Sequence, residues 1–133
     1  MVCNQLAIIV IVAVGVASQY HPGVMERVIA VRQTPGRTAH TLPIPLPPHD
    51  AVIAVSDCDE IGHIWLIRKQ GGAWERALVA DCAGSEATRQ WMKRGPVLFE
   101  VDGATAKRWG TAGRGSRAEV GRRVTVQRGD CVE

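Results

Sequence analysis

Apolar positions along the chain fall into short runs separated by turn residues, and one run is much longer than the rest. That run, Leu6 to Ala17 (LAIIVIVAVGVA), is unbroken but shorter than the roughly 20 residues of a membrane-spanning helix. It has the length of the apolar core of an export signal. Val24 to Val31 is a β-branched run and predicts a strand. Pro43, Pro45, Pro47 and Pro48 forbid helix and regular ladder pairing, so Leu42 to Asp50 is expected to be an extended loop. Ala51 to Val55 resumes as a strand. Ile61 to Arg68 and Trp74 to Ala80 are two further strands, and the glycine-bearing link Lys69-Gln70-Gly71-Gly72-Ala73 between them suits a hairpin.

Helix signals are few. Ser85 can cap a short helix with Glu86 in its first turn and Ala87, Trp91 and Met92 on one face, before Gly95-Pro96 stops it. After a strand at Val97 to Val101, Asp102 can cap a second helix, Ala104 to Trp109, with Gly110 placed for the left-handed conformation that ends helices. Ser116 to Gln127 alternates again and is expected to close the sheet. Many short strands with few, short helices argue for a small closed β-barrel rather than a helical bundle. A chain of 133 residues is sized for one domain. No repeat of solenoid period is present, though two roughly similar strand-helix halves are visible.

The N-terminal run divides the chain into an expected signal peptide, residues 1–17, and a domain, residues 18–133. Small residues Gly15 and Ala17 occupy the minus-three and minus-one positions of a cut before Ser18, as an exporting peptidase prefers. No Lys or Arg precedes the run, so an uncleaved anchor and a buried strand of the mature fold stand as alternatives. Cys3 precedes the run, whereas the cysteine of a lipid-anchored protein follows it.

The formal net charge is +3, and the basic excess lies late, at Lys107, Arg108, Arg114, Arg117, Arg122, Arg123 and Arg128. Such a face is either simply solvated or attracted to an anionic cell wall. Nucleic acid is not an expected partner, because no aromatic-interleaved basic motif occurs. Cys58 and Cys82 lie in similar contexts, SDCD and ADCA, and either pair in an oxidising compartment or pack as buried thiols. No CxxC and no His/Cys spacing suited to zinc is found, so neither metal nor organic cofactor is expected.

Four segments carry a more specific pattern: Ala17-Ser18-Gln19-Tyr20, then Ala39-His40-Thr41-Leu42-Pro43, then Val79-Ala80-Asp81-Cys82-Ala83-Gly84, and finally Asp102 to Gly110 (DGATAKRWG). In this order they resemble the rare lipoprotein A family and, more distantly, the expansins, over roughly Ala17 to Val126. The resemblance implies a mainly β fold: a six-stranded double-psi β-barrel with one or two short helices, preceded by an apolar leader helix. Active members are lytic transglycosylases, which cut peptidoglycan between N-acetylmuramic acid and N-acetylglucosamine without water. By resemblance Asp81 takes the position of the catalytic acid and His40 that of a site partner. Glu26 is the carboxylate nearest to the family's early Gly-Glu segment.

One carboxyl suffices in principle, because it protonates the glycosidic oxygen while the sugar's own hydroxyl attacks the anomeric carbon. Asp81 would then need a partly apolar floor, to which Val79 and Ala80 contribute, to raise its pKa. Two departures stand out. One residue is missing between His40 and Leu42-Pro43, which turns His40 to the opposite strand face unless a bulge absorbs the slip. The family's arginine after the acid is Cys82 here, removing a cation beside the carboxyl.

Each of these residues also has a plain structural role open to it. Asp81 at a strand end can bond turn amides, and Asp102 can serve as a helix cap. Tyr20, Trp65, Trp74, Trp91 and Trp109 can stack on sugar rings or fill the core; Tyr20, just before Pro22-Gly23, is the best placed to line a groove. Asp57, with Asp59 and Glu60 around Cys58, reads as a substrate contact or a solvated acidic turn.

The expected function is an exported peptidoglycan-active protein, an enzyme of lytic transglycosylase type. The alternatives are an expansin-like module that binds or loosens wall polysaccharide without cleaving it, and a plain interaction scaffold. The expected partner is peptidoglycan or another cell-wall glycan, with a membrane entering only through an uncleaved leader. The expected state is a monomer, secreted, periplasmic or associated with the wall.

Overall fold

The computed structural model describes residues 5–127, so Cys3 and Cys131 lie outside the described residues. The chain runs β1 (Gln5–Gln19), α1 (Met25–Arg32), β2 (Ala51–Val55), a 3-10 turn (Cys58–Glu60), β3 (Ile64–Lys69), β4 (Glu75–Cys82), α2 (Glu86–Arg94), β5 (Val97–Val101), α3 (Gly103–Trp109) and β6 (Ser116–Gln127). It is mainly β, a six-stranded sheet with three short helices. No helix among the described residues is long and apolar enough to cross a membrane.

The strands are ordered β1-β5-β2-β4-β3-β6, and β6 pairs back onto β1. Pairing is parallel in β1–β5 and β2–β4 and antiparallel in β1–β6, β3–β4, β2–β5 and β3–β6. Exchanging each strand with the one three places along the chain converts this set of pairings into itself. The parallel pair β1–β5 becomes β4–β2, and the antiparallel pair β1–β6 becomes β4–β3. The two strand-helix halves visible in the sequence are therefore equivalent in topology.

Two expectations from the sequence are corrected. The apolar run from Leu6 to Ala17 is not a leader helix but most of β1, paired to β6 at every described position from Gln5 to Ala17 except Val12. Its β-branched residues, Ile8 to Val12 with Val14 and Val16, favour extended backbone, and β6 supplies the ladder. A cut before Ser18 would remove all of those pairings. Gly15 and Ala17 also have a packing reason to be small: a Cβ on Gly15 would collide with the Pro96 carbonyl oxygen and the Leu98 side chain, while Ala17 is buried in the core.

The second correction is Val24 to Val31, which forms α1 instead of a strand. Gly23, at φ +75°, turns the chain out of its extended path after β1. Met25 and Ile29, one helical turn apart, then pack into the core, and basic Arg32 sits in the last turn where the helix dipole favours a cation. Packing has overridden the weak helix propensity of the β-branched residues.

Elsewhere the local signals hold. Gly71 takes φ +80° in the β3–β4 hairpin, and Ser85 accepts a hydrogen bond from the Thr88 amide at the start of α2. In α2, however, Met92 is the buried residue and Trp91 is 48% exposed. Asp102 caps α3, accepting from the Thr105 amide and hydroxyl and from the Val52 amide, and Gly110 ends it at φ +74°. The core is built on Ile53, Ile67, Leu78, Val79, Phe99 and Val101, all with almost no exposure. Ala77 to Ala80 are buried consecutively, because β4 lies between β2 and β3 and α1 packs across it.

Candidate functional site

Three segments distant in sequence meet where β4 ends. β4 runs parallel to β2 with a shift in register, Val79 opposite Ile53 and then Asp81 opposite Ala54, so Ala80 is the extra residue. That bulge delivers Asp81 to the rim of the sheet. The chain leaving β1 is fixed there by a bond from the Tyr20 amide to the Val101 carbonyl, 2.8 Å, at the end of β5. The last turn of α1, packed against β4, brings in Arg32.

The three side chains form one constellation. Arg32 Nη2 donates to Asp81 Oδ1 at 2.6 Å, and the Tyr20 hydroxyl donates to Asp81 Oδ2 at 2.5 Å. The ion pair is largely withdrawn from solvent, with 13% of the Arg32 and 15% of the Asp81 side chain exposed. Arg32 Nη1 also donates to the His40 carbonyl, 3.1 Å, while its buried Nε has no partner among the described residues. Burial, the hydrogen bond to Asp81 and the charges of Asp81 and Glu100 all push the Tyr20 phenol upward, so it remains a donor. Next to Asp81, Cys82 is joined to Cys58 by a disulfide with Cα atoms 4.9 Å apart, tying the end of β4 to the 3-10 turn.

Two open cavities flank this cluster. One, about 500 Å³, is lined by Arg32 and Asp81 together with Val24, Val28, Val31 and Thr38. The other, about 540 Å³, includes Ser18, Tyr20, His21, Glu100, Gly113 and Arg114. Tyr20 and Asp81, one from each, are the bonded pair between them. Burial first, and then the Asp81 charge, raise the carboxyl of Glu100 above its ordinary value, against the pull of the Ser18 hydroxyl and His21.

Of the residues singled out from sequence, Tyr20 and Asp81 are brought together, and Cys58 and Cys82 are bonded. His40 reaches the cluster only through its backbone carbonyl, which accepts from both Arg32 and Thr38. Glu26 lies on the exposed face of α1 and lines neither cavity. Asp57 caps the 3-10 turn by accepting from the Asp59 amide and borders a different, smaller cavity with Cys58 and Arg89. Trp109 packs edge-on against Phe99 and donates to Glu75, Trp65 donates to Glu60, and Trp74 lies under the Arg68 guanidinium. Tyr20 is therefore the aromatic of the site.

Sequence reasoning missed Arg32 and Glu100. Arg32 supplies the cation beside Asp81 from a distant segment; its signal was a basic residue ending the apolar run Val28 to Val31, eight residues before His40. Glu100 was marked by being the single charge within the apolar strand Val97-Leu98-Phe99-Glu100-Val101. Comparison with family models, with curated proteins and with solved structures found no match to this chain. Chemically, the cluster offers a fixed carboxylate, a phenol beside it and open space on both sides, an arrangement able to bind hydroxyl-rich ligands and to accept a proton.

Proposed function

We propose that the chain is a double-psi β-barrel protein acting on cell-wall glycan as a lytic transglycosylase of peptidoglycan. The ring of strand pairings and the equivalence of its two halves support the barrel. The meeting of Tyr20 and Asp81 in one hydrogen bond between two open cavities carries the functional reading. The Cys58–Cys82 disulfide fits an oxidising compartment outside the cytoplasm.

Cleavage without water needs a proton delivered to the glycosidic oxygen, attack of the muramic C6 hydroxyl on C1, and removal of that hydroxyl's proton. The resemblance gives Asp81 the place of the proton donor, but its ion pair with Arg32 suits it instead to the last of these, accepting the proton beside the developing oxocarbenium. Tyr20 fixes Oδ2 and presents a ring to a pyranose face. Incubation with purified peptidoglycan should release fragments ending in 1,6-anhydro-muramic acid, and Asp81→Asn should stop the release while circular dichroism stays native. Release of reducing ends alone would refute the mechanism.

A second reading, an expansin-like module that binds wall without cutting it, is favoured by the same ion pair. A carboxyl with one oxygen bonded to Arg32 and the other to Tyr20 is fixed in place beside open space, as gripping sugar hydroxyls requires. That protein would be pulled down by insoluble wall with no soluble fragments, and salt would weaken any contribution from its basic face.

A further inference from the structure

Glu100 stands in β5 between two strands, opposite Ser18 of β1 and Ala54 of β2. A carboxylate so placed loses much of its hydration, and where this chain buries glutamates for structure it supplies a cation. Glu119 on β6, 8% exposed, is paired with Arg68 at 3.1 Å, and Glu75 is held by Arg108 at 2.7 Å. Glu100 has no ion pair among the described residues. Instead it opens onto the 540 Å³ cavity beside Tyr20, whose hydroxyl is bonded to Asp81. Ser18 Oγ, near enough to Glu100 to draw its pKa down, is buried without a partner of proper hydrogen-bond geometry and leaves a polar group at the cavity wall.

Resting on the glycan-cleaving reading above, we infer that Glu100, on the Tyr20 side of the cluster, is the proton donor and Asp81, on the other side, its proton-accepting partner, so that the site works with two carboxyls. The titratable or charged groups facing Glu100 are Tyr20 and His21 beyond β1, Asp81 at the end of β4 and Arg114 on the wall of its cavity; β2 presents uncharged Ala54. No charged group of α2 acts on it. Burial and the Asp81 charge hold its proton to higher pH, while Asp81 is ion-paired to Arg32, so the two similar side chains stand in unlike surroundings.

The step balances without a co-reactant. The Glu100 carboxyl proton passes to the glycosidic oxygen as the bond from muramic C1 to that oxygen breaks and its electron pair stays on the N-acetylglucosamine oxygen. The muramic C6 oxygen bonds to C1, and its proton passes to Asp81. Water then returns a proton to Glu100 and takes one from Asp81.

The test combines peptidoglycan digestion across pH with a carboxyl-carbon NMR titration of Glu100 in the full chain. Wild-type protein should release anhydro-ended fragments at a rate that falls as pH rises through the Glu100 titration. Glu100→Gln should lower that rate by about a hundred-fold or more while pull-down by insoluble wall persists. Asp81→Asn should move the Glu100 titration downward, because the like charge is gone. Retention of cleavage by Glu100→Gln within a few-fold overturns the assignment while leaving the glycan-cleaving reading intact. Wild-type protein that binds wall yet releases nothing overturns both. Should Glu100→Gln fail to fold, the wild-type titration decides, and a Glu100 value at or below that of ordinary glutamate overturns the assignment.

Discussion

The middle of β4, Ala77 to Ala80, and the first part of β1 are both uninterrupted apolar runs, yet they have opposite fates. In β4, Ala77, Leu78, Val79 and Ala80 have no measurable exposure, whereas Leu6, Ile11, Val12 and Val14 of β1 are 46 to 61% exposed. The difference lies in neighbours. β4 is bonded on one edge to β2 and on the other to β3, with α1 across its outer face. Over residues 5–10, β1 has β6 alone, and β5 joins it only from Val16 onward. An apolar run of β-branched residues thus specifies extended backbone, but burial is conferred by elements far away in sequence. The site follows the same division: Asp81 directly follows the enclosed stretch Ala77 to Ala80, where packing can fix a side chain to within a hydrogen bond.

Substitutions at matched positions would break or sharpen this contrast. Leu78→Ala, inside β4, should cost about 4 kcal/mol by urea unfolding, from lost burial and the cavity left behind. A cost below 1 kcal/mol would mean that β4 is not the interior strand.

A smaller effect should appear in the pH dependence of stability, through Glu100. Its folded value lies above the ordinary glutamate value of 4.5, so the stability linked to it is complete below that value and is lost as pH rises through the raised folded value. Glu100→Gln should flatten this decline in thermal melts from pH 4 to 8; an unchanged slope would count against its burial.

The smallest effect belongs to the exposed part of β1. Val14→Thr, at 61% exposure, should change stability by less than about 0.5 kcal/mol, and a loss comparable to that of Leu78→Ala would erase the contrast.

Much of the fold was legible because its signals are local. The Gly71 hairpin, the Ser85 and Asp102 caps and the Gly110 stop each depend on a few adjacent residues. β1 was misread because its ladder partner lies more than a hundred residues away, and an isolated apolar run has no period to separate strand from leader. α1 was misread because its β-branched residues carry strand propensity, while the contacts of Met25 and Ile29 that impose the helix are tertiary. At the site, Tyr20 and Asp81 could be singled out by residue type and context. Arg32 could not, since its role depends on the turn of a helix that sequence did not show. His40 was chosen for its ring, and the structure uses its backbone, which residue identity does not encode.

The equivalence of the two halves bears on the asymmetry of the site. Under the exchange that carries β1 into β4, the end of β1, which leads to Tyr20, corresponds to the end of β4, which bears Asp81. The bond at the heart of the cluster therefore joins two equivalent strand ends. The side chains themselves are not equivalent: the Tyr20 amide bonds the Val101 carbonyl as the Ala83 amide bonds the Val55 carbonyl, so Tyr20 corresponds to Ala83, and Asp81 to Ser18. A phenol just beyond one strand end thus meets a carboxylate just inside the other, and an offset of two residues between the halves gives the cluster two unlike sides.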